Sequence, residues 1–182
     1  MAVPNPKRLL TVDEFQGMAE AGYFSPDERL ELIRGEIVEM TPIGDPHAFA
    51  VMMVVDALAA LRPKAILSPQ NPLRLPGQTA VPQPDVALLK RRRDYKARPP
   101  RYEDVLLIVE VADSSLAYDR DTKMPLYAEA GIPEAWLVDL GADVILVHRR
   151  PLSGRYRDVR PYRRGEVIEI EGEVFSVDEI LG

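Results

Sequence analysis

Val105-Leu106-Leu107-Ile108-Val109-Glu110-Val111-Ala112 is the stretch whose reading decides the fold. Seven of its eight residues are apolar, mostly leucine and β-branched, which predicts a strand covered on both faces. One carboxylate, Glu110, stands near its end. Burying an ionised carboxylate without a partner is costly, so Glu110 must meet a cation, a metal or water. Upstream, Gln83-Pro84-Asp85 opens a second apolar run, Val86-Ala87-Leu88-Leu89, and downstream Lys123 falls in a helix-like segment. If the two strands are antiparallel neighbours, the start of one lies beside the end of the other, and Asp85 and Glu110 converge.

Working outward, the length of 182 residues is ample for a hydrophobic core and predicts one domain over residues 1–182. The apolar fraction of 46% and charged fraction of 29% are ordinary for a soluble globular protein. There is no cysteine, which excludes disulfides, thiolate zinc sites and a cysteine nucleophile. Met1-Ala2-Val3-Pro4-Asn5-Pro6-Lys7 lacks the apolar core of a signal peptide, and no apolar run approaches the ~20 residues that span a bilayer. The expected setting is the cytoplasm, with no membrane partner. The net charge of −6 is uneven, because residues 90–101 and residues 149–164 each carry seven positive charges and one negative. Such segments suit either solvated loops or contact with a polyanion, and Arg91, Arg92, Arg93 and Lys96 are the candidates for binding nucleic acid.

Thr11-Val12-Asp13-Glu14 is a capping box, and Phe15, Met18 and Ala19 supply an apolar helix face before Gly22. Leu30–Met40 reads as two short strands joined at Arg34-Gly35. Asp45 as N-cap and Pro46 as first helical residue open a helix to about Leu61. Its residues are apolar all round, which predicts burial on nearly every side, partly against a second copy of the chain in a homodimer. Ala65–Ser68 and Asp85–Leu89 are strands, and the prolines of residues 71–77 keep that segment out of the sheet interior. A helical pattern runs from Asp119 to Gly131, interrupted by Pro125, and strands follow at 135–139 and 144–148. A hairpin at 167–170 and 174–175 and a capped turn from Ser176 close the chain.

Two carboxylates, the Val111 carbonyl and water make an oxygen cage suited to Mg²⁺ or Mn²⁺. An ion there polarises a phosphodiester oxygen and acidifies water, while a lysine orients that water and offsets charge on phosphorus. Lys123 is the lysine located to do this, and Tyr127, four residues on, shares its helix face.

At this point the chain resembles known proteins. Pro84-Asp85 and the strand ending in Glu110 resemble the PD-(D/E)XK nuclease superfamily and, more narrowly, the bacterial Uma-two family of restriction-endonuclease-like proteins. The matching motifs include Leu10–Phe15, Glu31–Met40, Pro46-His47, Gln83–Val86, Ile108–Val111, Asp119–Lys123, Tyr127–Glu134 and Trp136–Asp139. The resemblance implies an α/β (α+β) fold with a restriction-endonuclease-like core, a central mixed sheet flanked by helices in the order α-β-β-β-α-β. An N-terminal helix and hairpin and a C-terminal hairpin are added to it. It implies a divalent-metal-dependent endodeoxyribonuclease with Asp85, Glu110 and Lys123 as catalytic residues and DNA as partner. The alternative is a non-catalytic homodimeric DNA-binding or accessory protein on the same scaffold. One departure from the superfamily pattern matters: Ala112 stands where a lysine is usual, two residues beyond the strand glutamate. The resemblance implies that Lys123, on the next helix, replaces it, and that Glu31 and His47 line the pocket. Glu31, His47, Gln83 and Tyr127 are the supporting candidates.

Overall fold

The computed structural model describes residues 7–182; the leader segment considered above falls, for residues 1–6, outside the described residues. A helix, α1 (Val12–Glu20), precedes a hairpin of β1 (Leu30–Ile33) and β2 (Glu36–Glu39) and a second helix, α2 (Asp45–Ala57), which tightens into a 3₁₀ turn at Leu58–Leu61. Three strands follow, β3 (Ala65–Pro69), β4 (Val86–Lys90) and β5 (Val105–Ala112). A helical run then passes through α3 (Leu116–Tyr118), a π turn (Asp119–Lys123) and α4 (Met124–Glu129). The chain continues through β6 (Glu134–Asp139), β7 (Val144–Leu152) and β8 (Arg155–Arg163), and ends with β9 (Val167–Ile170), β10 (Glu173–Ser176) and α5 (Val177–Leu181). From α2 to β6 the order is the expected α-β-β-β-α-β.

Strands β3 to β8 form one six-stranded sheet in sequence order, all neighbours antiparallel except β5 and β6. That one parallel pair requires the chain to cross over the sheet between β5 and β6, and α3, the π turn and α4 make the crossing. β5 is central and buried on both faces, as its composition predicts. Leu107, Val109 and Val111 pack with α2, α5 and the β9–β10 hairpin, while Ile108 and Ala112 pack with α4 and Ile33 of β1. Each such fully buried leucine, isoleucine or valine side chain contributes about 1.5–3 kcal/mol. By alternation Glu110 faces the α4 side.

Several local expectations are met. Thr11 and Glu14 form the reciprocal capping box of α1. Arg34 and Gly35 make the β1–β2 turn with φ of 52° and 80°. A Cβ on Gly35 would lie 2.6 Å from Leu9 Cβ, so both conformation and space demand glycine.

Others are corrected. The N-cap of α2 is Gly44, so Asp45 is already helical and supports the helix as a first-turn charge. Within the single chain α2 buries Ala50, Val51 and Val54 and leaves Phe49 49% and Met52 61% exposed, so the rest of the expected burial rests on the second copy. Only Val12 of α1 is buried, against Leu32 and Val81. The helical run begins before Asp119, and the π turn, in which Met124 N–H bonds the Asp119 carbonyl, ends one residue before Met124-Pro125. Residues 149–164 are not a loop: β7 extends to Leu152, and β8 is a nine-residue strand on the sheet edge. Its arginines and Pro161 are the residue types that stop an open edge pairing with another chain. Among the described residues, no helix is long and apolar enough to cross a membrane.

Candidate active site

The register of β4 against β5 pairs Val86 with Val109, so Asp85 enters β4 beside Glu110 as that residue nears the end of β5. Asp85 Oδ2 accepts the Val111 N–H at 2.8 Å, in the place where a continuing β4 would have bonded. A residue's N–H and C=O leave a strand on the same edge, so the Val111 carbonyl projects toward Asp85 as well. The same Oδ2 lies 3.1 Å from His47 Nε2, brought in by the first turn of α2. That bond holds the His47 pKa above its ordinary value.

The crossover helix supplies the opposite wall. Asp119, Lys123 and Tyr127 are spaced four apart, and in a regular α-helix each such step drifts by about 40°. The π turn winds more slowly and takes up part of the drift, so all three face Glu110. Lys123 Nζ is 3.3 and 3.4 Å from the two Glu110 oxygens, 3.1 Å from Glu31 Oε1 and 4.0 Å from Asp119 Oδ1. The Tyr127 hydroxyl donates to Glu110 Oε1 at 2.5 Å, and Ser115 Oγ donates to Asp119 Oδ2 at 2.5 Å. Glu31, carried by β1, also accepts the Gln83 backbone N–H at 2.6 Å.

Glu31, Asp85, Glu110, Asp119 and Lys123 are 1%, 7%, 2%, 4% and 5% exposed, so four carboxylates are buried beside a single ammonium, which three of them contact. Burial pushes Glu110 well above the ordinary carboxylate range, with Lys123 pulling the other way. Burial also raises Asp119, against the Ser115 hydrogen bond and Lys123. For Lys123 burial disfavours the charge, but Glu110, Glu31 and Asp119 outweigh it and hold the amine above the ordinary lysine value. Tyr127 is raised by burial and by Glu110, so it stays a donor. These groups lie in a recess of about 430 Å³ walled by residues 38–44 and His47 on one side and residues 113–119 on the other.

Asp85, Glu110, Lys123, Glu31, His47, Tyr127 and the Val111 backbone are thus brought together. Gln83 takes part only through its backbone, since its side chain donates to the Gln70 carbonyl. Asp119 was not singled out from the sequence, although its i, i+4 spacing to Lys123 was the available signal. The basic segment at 90–101 is elsewhere. It follows Lys90 at the far end of β4, about 17 Å of strand from Asp85. There Arg91 donates to the Arg62 and Pro63 carbonyls, and Arg92 pairs with Asp94 and Asp104. Arg93 and Lys96 lie in the same loop, away from the recess.

Among the described residues no three acidic or histidine side chains form a ready-made metal ligand set. The donor chemistry nevertheless fits a hard divalent cation. The carboxylate oxygens are in excess over the one internal cation, and a carbonyl stands beside them.

The family model described as "Putative restriction endonuclease", Uma2, matches residues 12–176. The chain belongs to the Uma2 family. A crystal structure of a putative nuclease belonging to DUF820 from Anabaena variabilis ATCC 29413 is similar to it, with a TM-score of 0.68 and 15% sequence identity. The likeness covers 94% of this chain and 97% of that one, and it is a likeness of fold. Comparison with curated proteins gives no match.

Proposed function

We propose that this Uma2 protein is a divalent-metal-dependent endodeoxyribonuclease that hydrolyses phosphodiester bonds. The observation that carries the reading is the meeting of Asp85, Glu110 and Lys123 in one recess, from three separate elements. Membership of a restriction-endonuclease family points the same way. Asp85, Glu110 and the Val111 carbonyl would hold Mg²⁺ or Mn²⁺, which supplies Lewis acidity and lowers the pKa of water.

The remaining roles fall to the chain's own groups. His47 and the Val111 N–H fix the orientation of the Asp85 carboxylate. Tyr127 does the same for Glu110. Lys123 places positive charge where negative charge develops on the phosphoryl oxygens, in a site walled off from bulk water. Glu31 and Asp119 hold the ammonium between them. DNA is the proposed substrate. Arg91, Arg92, Arg93 and Lys96 are too far along β4 to touch the scissile phosphate, so any contact they make is with backbone phosphates further along the duplex.

The test is nicking of supercoiled plasmid with Mg²⁺ or Mn²⁺ by the wild type and by Asp85→Ala. Cleavage by the first and not the second is expected. DNA and metal binding by a wild type that never cleaves would favour the accessory-protein reading, and equal cleavage by both would remove Asp85 from the site.

A further inference from the structure

Buried polar atoms are almost always hydrogen-bonded, and each exception calls for a cause. Among the described residues two buried side-chain atoms have no partner, His47 Nδ1 and the Tyr118 hydroxyl. Both belong to residues that line the catalytic recess, and they stand on its opposite walls. The buried charged groups of the lining are bonded: Glu31, Asp85, Glu110, Asp119 and Lys123 all have partners. Two unpaired polar groups on residues lining one recess point to a ligand whose own polar atoms complete the set.

Tyr118 is the more telling of the two. It ends α3 and adjoins the π turn that aligns Asp119 with Lys123, so its position is tied to theirs. A hydroxyl that both donates and accepts finds no bond among the neighbouring carboxylates, although Ser115 on the same wall does bond Asp119. Folding stability gains nothing from this arrangement: phenylalanine would fill the same space without an unmade bond. Hydrogen bonds to a reacting group are often long or unmade in the free enzyme and tighten only in the complex.

Resting on the nuclease reading of the recess, we propose that the Tyr118 hydroxyl is a substrate-contacting group, donating to a non-bridging oxygen of the scissile phosphate.

The experiment compares wild type with Tyr118→Phe in three measurements. Thermal unfolding of the free protein is expected to be unchanged or raised in the variant. Cleavage of a labelled oligonucleotide with Mg²⁺ is expected to fall at least tenfold in kcat, with KM changed less. Binding of the same oligonucleotide with Ca²⁺ in place of Mg²⁺ is expected to weaken severalfold. A lowered unfolding temperature would show a structural hydrogen bond and overturn the proposal, as would wild-type cleavage together with wild-type binding. Failure of the wild type to cleave at all would count against the nuclease reading instead. Tyr118 would then be judged on oligonucleotide binding alone, where an equal affinity for both proteins overturns it.

Discussion

Replacing Lys123 by methionine removes the only ammonium from the buried cluster while keeping most of the side-chain volume. Nζ lies within 3.1–4.0 Å of Glu31, Glu110 and Asp119, and its side chain is 6% exposed, so solvent cannot take over its role. Breaking a buried pair by deleting one partner costs about 3–5 kcal/mol, because the other charge is left unpaired. For a chain of this size each kcal/mol moves the unfolding temperature by about 2–4 °C, so a fall of roughly 6–20 °C is expected. The assay is thermal unfolding of Lys123→Met and wild type in EDTA. Two dependences sharpen it. Burial already raises Glu110 above its ordinary value of 4.5, and losing Lys123 raises it further. A carboxyl raised in the folded state favours folding at low pH and loses that contribution as pH rises, so the deficit grows from pH 5 to pH 8. Mg²⁺ in place of EDTA should narrow it, since a dication binding only the folded state stabilises that state. A variant within about 1 kcal/mol of wild type in EDTA at pH 8 would refute the reasoning, since an unpaired buried charge has to cost more.

Two further outcomes test the fold around the site. His148 is buried on β7, with Nδ1 2.9 Å from the Leu146 carbonyl, and burial holds its pKa below the ordinary 6.5. The unfolded chain therefore binds the extra proton first, so stability present above about pH 6.5 is lost as pH falls toward the folded-state value; urea midpoints between pH 5 and 8 should flatten in His148→Phe. Gly35→Ala puts a side chain at φ 80°, with its Cβ 2.6 Å from Leu9 Cβ, and should lower stability by more than about 1 kcal/mol in urea unfolding.

What could be read locally was read correctly where one side-chain pattern has one physical cause. The run of 105–112, apolar except for Glu110, reads as a strand with both faces covered, and it is β5, between β4 and β6. Thr11 with Glu14, and Gly35 in its turn, are likewise decided by bonds and dihedrals within a few residues. Misreadings came where two causes leave the same pattern. Seven positive charges over residues 149–164 describe a solvated loop and an exposed edge strand equally well, and only the pairing of β8 with β7 separates them.

From its residues alone this chain determines which groups are able to do chemistry: a carboxylate opening one strand, another near the end of a buried one, and a lysine on the helix that follows. Those are properties of side chains and short-range periodicity. Tertiary structure alone decided that Asp85 sits beside Glu110, because strand register is a long-range choice. It also decided that the crossover to parallel β6 carries Asp119, Lys123 and Tyr127 over the Glu110 face, and that the 90–101 basic segment ends at the other end of β4. The reason is the same throughout. Burial energy is written residue by residue, whereas the meeting of distant charges depends on how whole elements pack.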